Sequence, residues 1–273
     1  MANLSITAAW DETAAFVKRE AQLLFPIAFL LMALPGSILQ ALMPVTVPGQ
    51  LPEGGPWLLF VPVLLLASLV GAIAISWLAL RPGASVGEAL QVGLRRFLPL
   101  VGAALLTALG AALVMLPVFL IVGLVAGVGG AGAAPAAVAL LLLIMIPLYL
   151  FVWVRLILMT PAAAVEPLGP VGLIRRSWQL TAGHFWRLLG FLLLIILIGL
   201  VALMAVGAVL GILIALLVGA PQPGNLAMFL VSLISALVQA VISGIFTAFV
   251  ARIYAQLTGA GLADVFGPST SGG

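Results

Sequence analysis

The chain has no cysteine, a single histidine and very little charge. Without cysteine there is no disulfide framework, no thiolate nucleophile and no sulfur ligand for a metal. His184, the one histidine, would need further ligands to hold zinc. Charged residues make up 6% of the 273 residues, and 65% are hydrophobic. A soluble domain carries roughly 25% charge, so most of this surface must face lipid. The carboxylates are Asp11, Glu12, Glu20, Glu53, Glu88, Glu166 and Asp264. None lies mid-way along an apolar run, where an ion-coupled transporter keeps an ionisable group. No Gly-Lys-Ser/Thr phosphate loop occurs, and nothing points to a cofactor. The net charge of +3 suits an anionic lipid surface. Nucleic acid would require a basic patch on a soluble face. Residues 1–20 lack the short apolar run and cleavage site of a secretory signal.

What the chain does have is long apolar runs. A helix needs about 20 apolar residues to cross the hydrocarbon core. Six segments qualify: 22–43, 57–80, 98–126, 135–158, 188–219 and 226–250. Pro35-Gly36 and Pro147 predict kinks in the first and fourth. Lys18, Arg19, Arg81, Arg95, Arg96, Arg155, Arg175, Arg176, Arg187 and Arg252 all fall at one set of span ends. The loops "PVTVPGQLPEGGP", "GVGGAGA" and "APQPGN" contain no Lys or Arg. The positive-inside rule then places both termini in the cytoplasm. One lysine among ten basic residues, with abundant alanine and glycine, reads as the coding bias of a GC-rich bacterium. That makes the expected location a bacterial inner membrane.

Three cytoplasmic segments share an i, i+4, i+7, i+11 pattern, which is one helical face. They are Ile6, Trp10, Thr13, Val17; Val86, Leu90, Gly93, Phe97; and Ile174, Trp178, Thr181, Phe185. The third slot is small or polar each time. Start signals accompany them: Ser5 as a cap, Ser85 with Glu88 at capping-box spacing, and Pro170 in a first turn. The expected fold is therefore an all-α integral membrane protein of six transmembrane helices in three parallel repeats. Each repeat is an interfacial amphipathic helix followed by a two-span hairpin. The repeat units run over about 4–80, 84–158 and 170–257, within one transmembrane domain at 1–260. A flexible tail at 261–273 follows.

Several polar features could carry function. Arg95, Arg96, Arg175, Arg176 and Arg187 are candidates for lipid headgroups. Ser232, Ser235, Gln239, Ser243 and Thr247, with Tyr254, lie on one stripe of the sixth span, within an arc of about 120°. They read either as hydrogen-bonding glue between helices or as a polar seam that shelters an amphiphile. Gly199, Gly207, Gly211, Ala215 and Gly219 form a small-residue row in the fifth span, and Ala103, Thr107 and Ala111 another in the third. These rows suit close internal packing of helices, or self-association. Arg155 either snorkels to the interface or pairs with Glu166 across a break at Thr160-Pro161. A Ser-His-Asp arrangement would have to pass through His184 at the membrane surface, so His184 reads as an interfacial or capping residue.

The order Arg155, Pro161, Glu166, Gly169, then "RRSWQLTAGHFWRLLG" with Ser177, Trp178 and His184 inside it, resembles the glycerophosphoryl diester phosphodiesterase membrane-domain family. "EALQVGLRRFLPLVGAALL" is also similar to it. The resemblance covers most of residues 1–260. It implies a six-span bacterial membrane module, found alone or fused ahead of a soluble phosphodiesterase. The chain ends in "GPSTSGG" with no hydrolase domain, so the resemblance implies a stand-alone module without phosphodiesterase activity. The expected function is non-enzymatic: binding or helping to move a lipid or other amphiphile. Membrane lipids are the expected partners, with a membrane-protein partner possible. The rival readings are a scaffold for a separate enzyme or transporter, and an interfacial lipid-acting enzyme using His184 or Glu166.

Overall fold

The computed structural model describes residues 5–42, 54–128, 134–220 and 225–259. The expected tail at 261–273 and most of the three cation-free loops lie outside these residues. Among the described residues the chain is helical throughout, with no strand. The helices are α1 (Ile6–Ile27), α2 (Leu34–Leu42), α3 (Phe60–Leu80), α4 (Val86–Val128), α5 (Ala134–Leu156), α6 (Met159–Val165), α7 (Pro170–Thr181), α8 (Phe185–Leu217) and α9 (Leu226–Thr258). Six stretches are long and apolar enough to cross a membrane: Thr7–Ile38, Phe60–Leu80, Val86–Val125, Pro135–Val165, Phe185–Leu217 and Leu226–Thr258. The chain is a multi-pass membrane protein.

Helix starts follow local chemistry. Ser5 Oγ accepts the Ala8 amide at 3.3 Å. Ser85 and Glu88 form a reciprocal box, with bonds of 3.2 and 3.1 Å. Gly169 caps α7 ahead of Pro170. Asn225 Oδ1 accepts the Met228 amide at 2.8 Å.

The three expected surface helices differ from one another. Only α7 is a separate element. The first is set off from its span by a break at Glu20 (φ −108°, ψ 17°). The second runs without interruption into α4, a helix of 43 residues and so about 65 Å long, with Pro99 and Pro117 inside it. The expected distortion near Pro35 is a wide π turn over Ala28–Ala33, closed by Leu34 N–H donating to the Phe29 carbonyl. Pro35 has no N–H for the Leu31 carbonyl and its ring crowds that group, so the preceding turn widens. The break expected at Thr160-Pro161 falls earlier, at Ile157–Leu158. Pro161 instead occupies the first turn of α6, where a missing N–H costs nothing.

One core cluster joins α1, the π turn, α3 and α9 around Phe16, Leu24 and Ile75, and another lies where α6 and α7 meet α3, α4 and α9. The latter includes Leu158, Ala162, Ala163, Ala164, Leu173, Phe249, Ile253 and Tyr254. Close backbone approaches occur at glycines. A Cβ on Gly93 would meet the Val70 carbonyl oxygen at 2.8 Å, and one on Gly102 would meet the Pro170 ring at 2.8 Å. The expected small-residue row on α8 does not pack internally beyond its start. Gly199 lies near Ile242, but Gly207, Gly211 and Gly219 have open space around them. Ile214 on the outer half of α8 is buried, while Leu197, Val201, Met204 and Leu216 are exposed.

Candidate functional site

Glu166 caps the C-terminal end of α6 in an extended conformation. Its Oε1 accepts from Arg176 Nε on α7 at 2.8 Å and from the Tyr254 hydroxyl near the end of α9. One carboxylate oxygen thus joins three segments that lie 10 and 88 residues apart. Burial works against the charge of Arg176, but the hydrogen bond and charge of Glu166 outweigh it. Together with Tyr254 they hold the guanidinium pKa above its ordinary value. Both contacts fall on Oε1, and no described residue bonds Oε2.

Arg155 does not pair with Glu166. Its guanidinium sits 5.4 Å from the Phe151 ring, 5.1 Å from Trp178 and 5.7 Å from Phe185. Nη1 donates to the Trp178 carbonyl at 3.5 Å. The Arg155 carbonyl accepts from Ser177 Oγ at 2.7 Å, and Ser177 is fully buried. This cage fastens α5 to α7 and to the start of α8. Arg155, Ser177 and Trp178, which appear in the sequence as a motif, therefore form one structural joint.

Two cavities open on a single stripe of α4. The first, about 300 Å³, is lined by Arg96, Pro99, Ala163, Glu166, Pro167, Leu168 and Gly169. Arg96 Nη1 donates to the Ala163 carbonyl at 3.3 Å. The second, about 260 Å³, is almost wholly apolar; Leu106, Thr107, Gly110, Ala111 and Val114 of α4 face α5 and the Ile174 and Trp178 side of α7. Arg96, Pro99, Thr107, Gly110, Ala111 and Val114 fall within about 120° of one another around the helix. Between the two cavities Ala103 is buried and Pro170 closes on Gly102. Another cavity of about 260 Å³ lies on the other side of α6, where Ser76 meets Trp153, Pro161 and Phe246. The Ser76 hydroxyl there is buried without a partner.

The five headgroup arginines divide into two groups. Arg95, Arg175 and Arg187 are exposed, whereas Arg96 and Arg176 turn inward. On α9, Ser243 and Thr247 bond carbonyls of their own helix, Ala240 at 3.2 Å and Ser243 at 2.8 Å. Ser232 and Gln239 are exposed, Ser235 is half-buried, and Thr247 lines the Ser76 cavity. His184 precedes α8 and makes no side-chain cap bond. Its Nδ1 is buried without a partner, and no hydrogen bond joins it to Glu166 or Ser177. A G-x-S-x-G spacing does occur, at Gly83–Gly87, but its serine is the Ser85 helix cap. Sequence reasoning missed the role of Tyr254 as a partner of Glu166. The available signal was its place on the α9 stripe seven residues after Thr247, which is the spacing of one helical face.

A family model described as a domain of unknown function (DUF7847) matches residues 4–257. No curated protein and no solved structure matches the chain.

Proposed function

The chain belongs to the DUF7847 family, and we propose that it is a non-enzymatic protein of a bacterial inner membrane that binds, or helps move, an amphiphile with an anionic head. The supporting observation is the α4 stripe, with a cavity lined by Arg96 and Glu166 followed by an apolar one. Residues 96 and 110 lie about 21 Å apart along a helix, and the Pro170–Gly102 contact separates the two cavities, so the head occupies the first while its chain passes that contact on the lipid side toward the second. Within a bilayer an apolar groove adds little affinity, because lipid tails are already in hydrocarbon. Selectivity must then come from the head, and Arg96 is the cation that offers it charge-assisted hydrogen bonds.

In this reading the cation-rich ends are cytoplasmic, with both termini inside. Three units, each a surface segment followed by a hairpin, build the fold. Equivalent small residues support the repeat: Ala9 and Thr13, Ala89 and Gly93, and Ser177 and Thr181 are all buried. The resemblance to the glycerophosphoryl diester phosphodiesterase membrane-domain family supports the same six-span membrane module.

Native mass spectrometry of the full chain in mild detergent tests this function. Phospholipid should remain bound to wild type. Retention should fall about tenfold in Arg96→Gln, the loss of one charge-assisted bond. It should be largely kept in Arg96→Lys and unchanged in Arg187→Gln. Equal retention by wild type and Arg96→Gln would remove the reading. A constant protein neighbour in cross-linked membranes, with no lipid retained, would favour the scaffold instead.

A further inference from the structure

We infer that the head recognised at the Arg96 cavity is a phosphate ester bearing a primary amine, of the phosphoethanolamine type, rather than a simple anion. This rests on the amphiphile-binding reading and gives it a substrate class. The cavity presents two opposite charges, Arg96 and Glu166, that do not neutralise each other. Glu166 forms its ion pair with Arg176. Arg96 makes no ion pair among the described residues and bonds only a backbone carbonyl, that of Ala163.

The two sides of the cavity therefore ask for different chemistry. Arg96 keeps guanidinium N–H groups beyond the one given to Ala163, and these match phosphate oxygens. Glu166 has spent Oε1 on Arg176 and Tyr254, so Oε2 remains as an acceptor. A carboxylate oxygen beside a cavity repels a second anionic oxygen and attracts an ammonium. A primary ammonium carries three N–H donors and can bond Oε2; a trimethylated one has none. The remaining lining, Pro99, Pro167, Leu168 and Gly169, suits the short ethylene link between amine and phosphate. A volume of about 300 Å³ is at the small end of ligand pockets, which suits a headgroup of this size.

The test uses the full chain, delipidated in mild detergent. It is offered an equimolar mixture of ethanolamine-, choline- and glycerol-headgroup phospholipids with identical acyl chains, and adducts are read by native mass spectrometry. A parallel arm adds soluble glycerophosphoethanolamine. Wild type should retain the ethanolamine lipid about tenfold over the choline lipid, the worth of one charge-assisted hydrogen bond. Glu166→Gln should erase that preference by lowering ethanolamine-lipid retention to the level of the choline lipid. Arg176→Gln leaves Glu166 charged and unpaired, so the preference should rise. Because these two variants remove the same ion pair, a mere folding defect would move both the same way. Equal or stronger retention of the glycerol lipid overturns the inference and leaves the amphiphile reading standing. Loss of every phospholipid from wild type overturns that reading too. Binding of the soluble ester as tight as that of the lipid supports the head chemistry and overturns its bilayer source.

Discussion

Replacing Tyr254 with phenylalanine should destabilise the fold more than removing the neighbouring Arg176 charge. Tyr254 is 3% exposed, and its hydroxyl donates to Glu166. A hydrogen bond to a charged group contributes about 1.5–3 kcal/mol. Glu166 keeps Arg176 and is 26% exposed, so water can take up part of the freed acceptor. The lower end, about 1.5 kcal/mol, is the expected loss. Arg176 is 35% exposed, so solvent screens its pairing, and Arg176→Gln should cost only about 0.5–1 kcal/mol. Glu166→Gln removes both charged contacts yet keeps neutral acceptors, and should cost about 2 kcal/mol. Because Tyr254 and Glu166 share one bond, the double variant should fall short of additivity by about 1 kcal/mol. Reversible unfolding in mixed detergent micelles, monitored by tryptophan fluorescence, measures all four proteins. A Tyr254→Phe variant as stable as wild type, or an order in which Arg176→Gln is the worse, would refute the reasoning. So would full additivity.

Two further outcomes follow from packing. Gly93→Ala forces a methyl to 2.8 Å from the Val70 carbonyl oxygen, whereas Gly110→Ala meets nothing within 4 Å; the first should lose about 1–2 kcal/mol and the second gain up to about 1 kcal/mol from helix propensity, as read by the same unfolding assay. Trp178→Leu takes one ring from around Arg155 and should cost at least about 0.5–1 kcal/mol, with easier protease cleavage between α7 and α8 as the second readout.

The six spans were legible because each is a long apolar run, and a long apolar run has few alternatives. The caps at Ser5 and Ser85 were legible for a similar reason: the bonds close within three residues. α6 was not legible. "TPAAAVEP" has two prolines in eight residues and looks like a break, yet Pro161 falls in the one turn that tolerates it. Arg155 was open between snorkelling and pairing with Glu166, and Glu166 bonds Arg176 and Tyr254 instead. No local pattern encodes a bond across 88 residues; it exists only because α9 returns to the end of α6. The small-residue rows misled for a related reason. Gly207 and Gly211 have the spacing for close packing, but spacing does not bring a neighbour onto that face, and a Cβ at either would meet nothing within 4 Å among the described residues. The tight approaches are at Gly93 and Gly102, single glycines where helices actually cross.

The surface segments show how a small shift changes a reading. The sequence pattern groups Trp10, Leu90 and Trp178 on one face of surface helices, and Trp10 is 44% and Trp178 41% exposed. The buried line runs one position earlier, through Ala9, Ala89 and Ser177, to the small slot at Thr13, Gly93 and Thr181. Small residues are inside because these helices lie directly on other backbones, as at Val70 and Gly93. The large side chains are then pushed to the flank, where they can meet lipid. That rotation also decides the fate of the arginines. Arg95 and Arg175 stay on the outer side, while Arg96 and Arg176, one residue on, turn toward α6. A cation turned inward needs an acceptor, and α6 supplies two at its C-terminal end, the Ala163 carbonyl and the Glu166 carboxylate. The charged cavity is thus a consequence of close helix packing at small residues, and substitutions that loosen that packing should weaken lipid retention as well as stability.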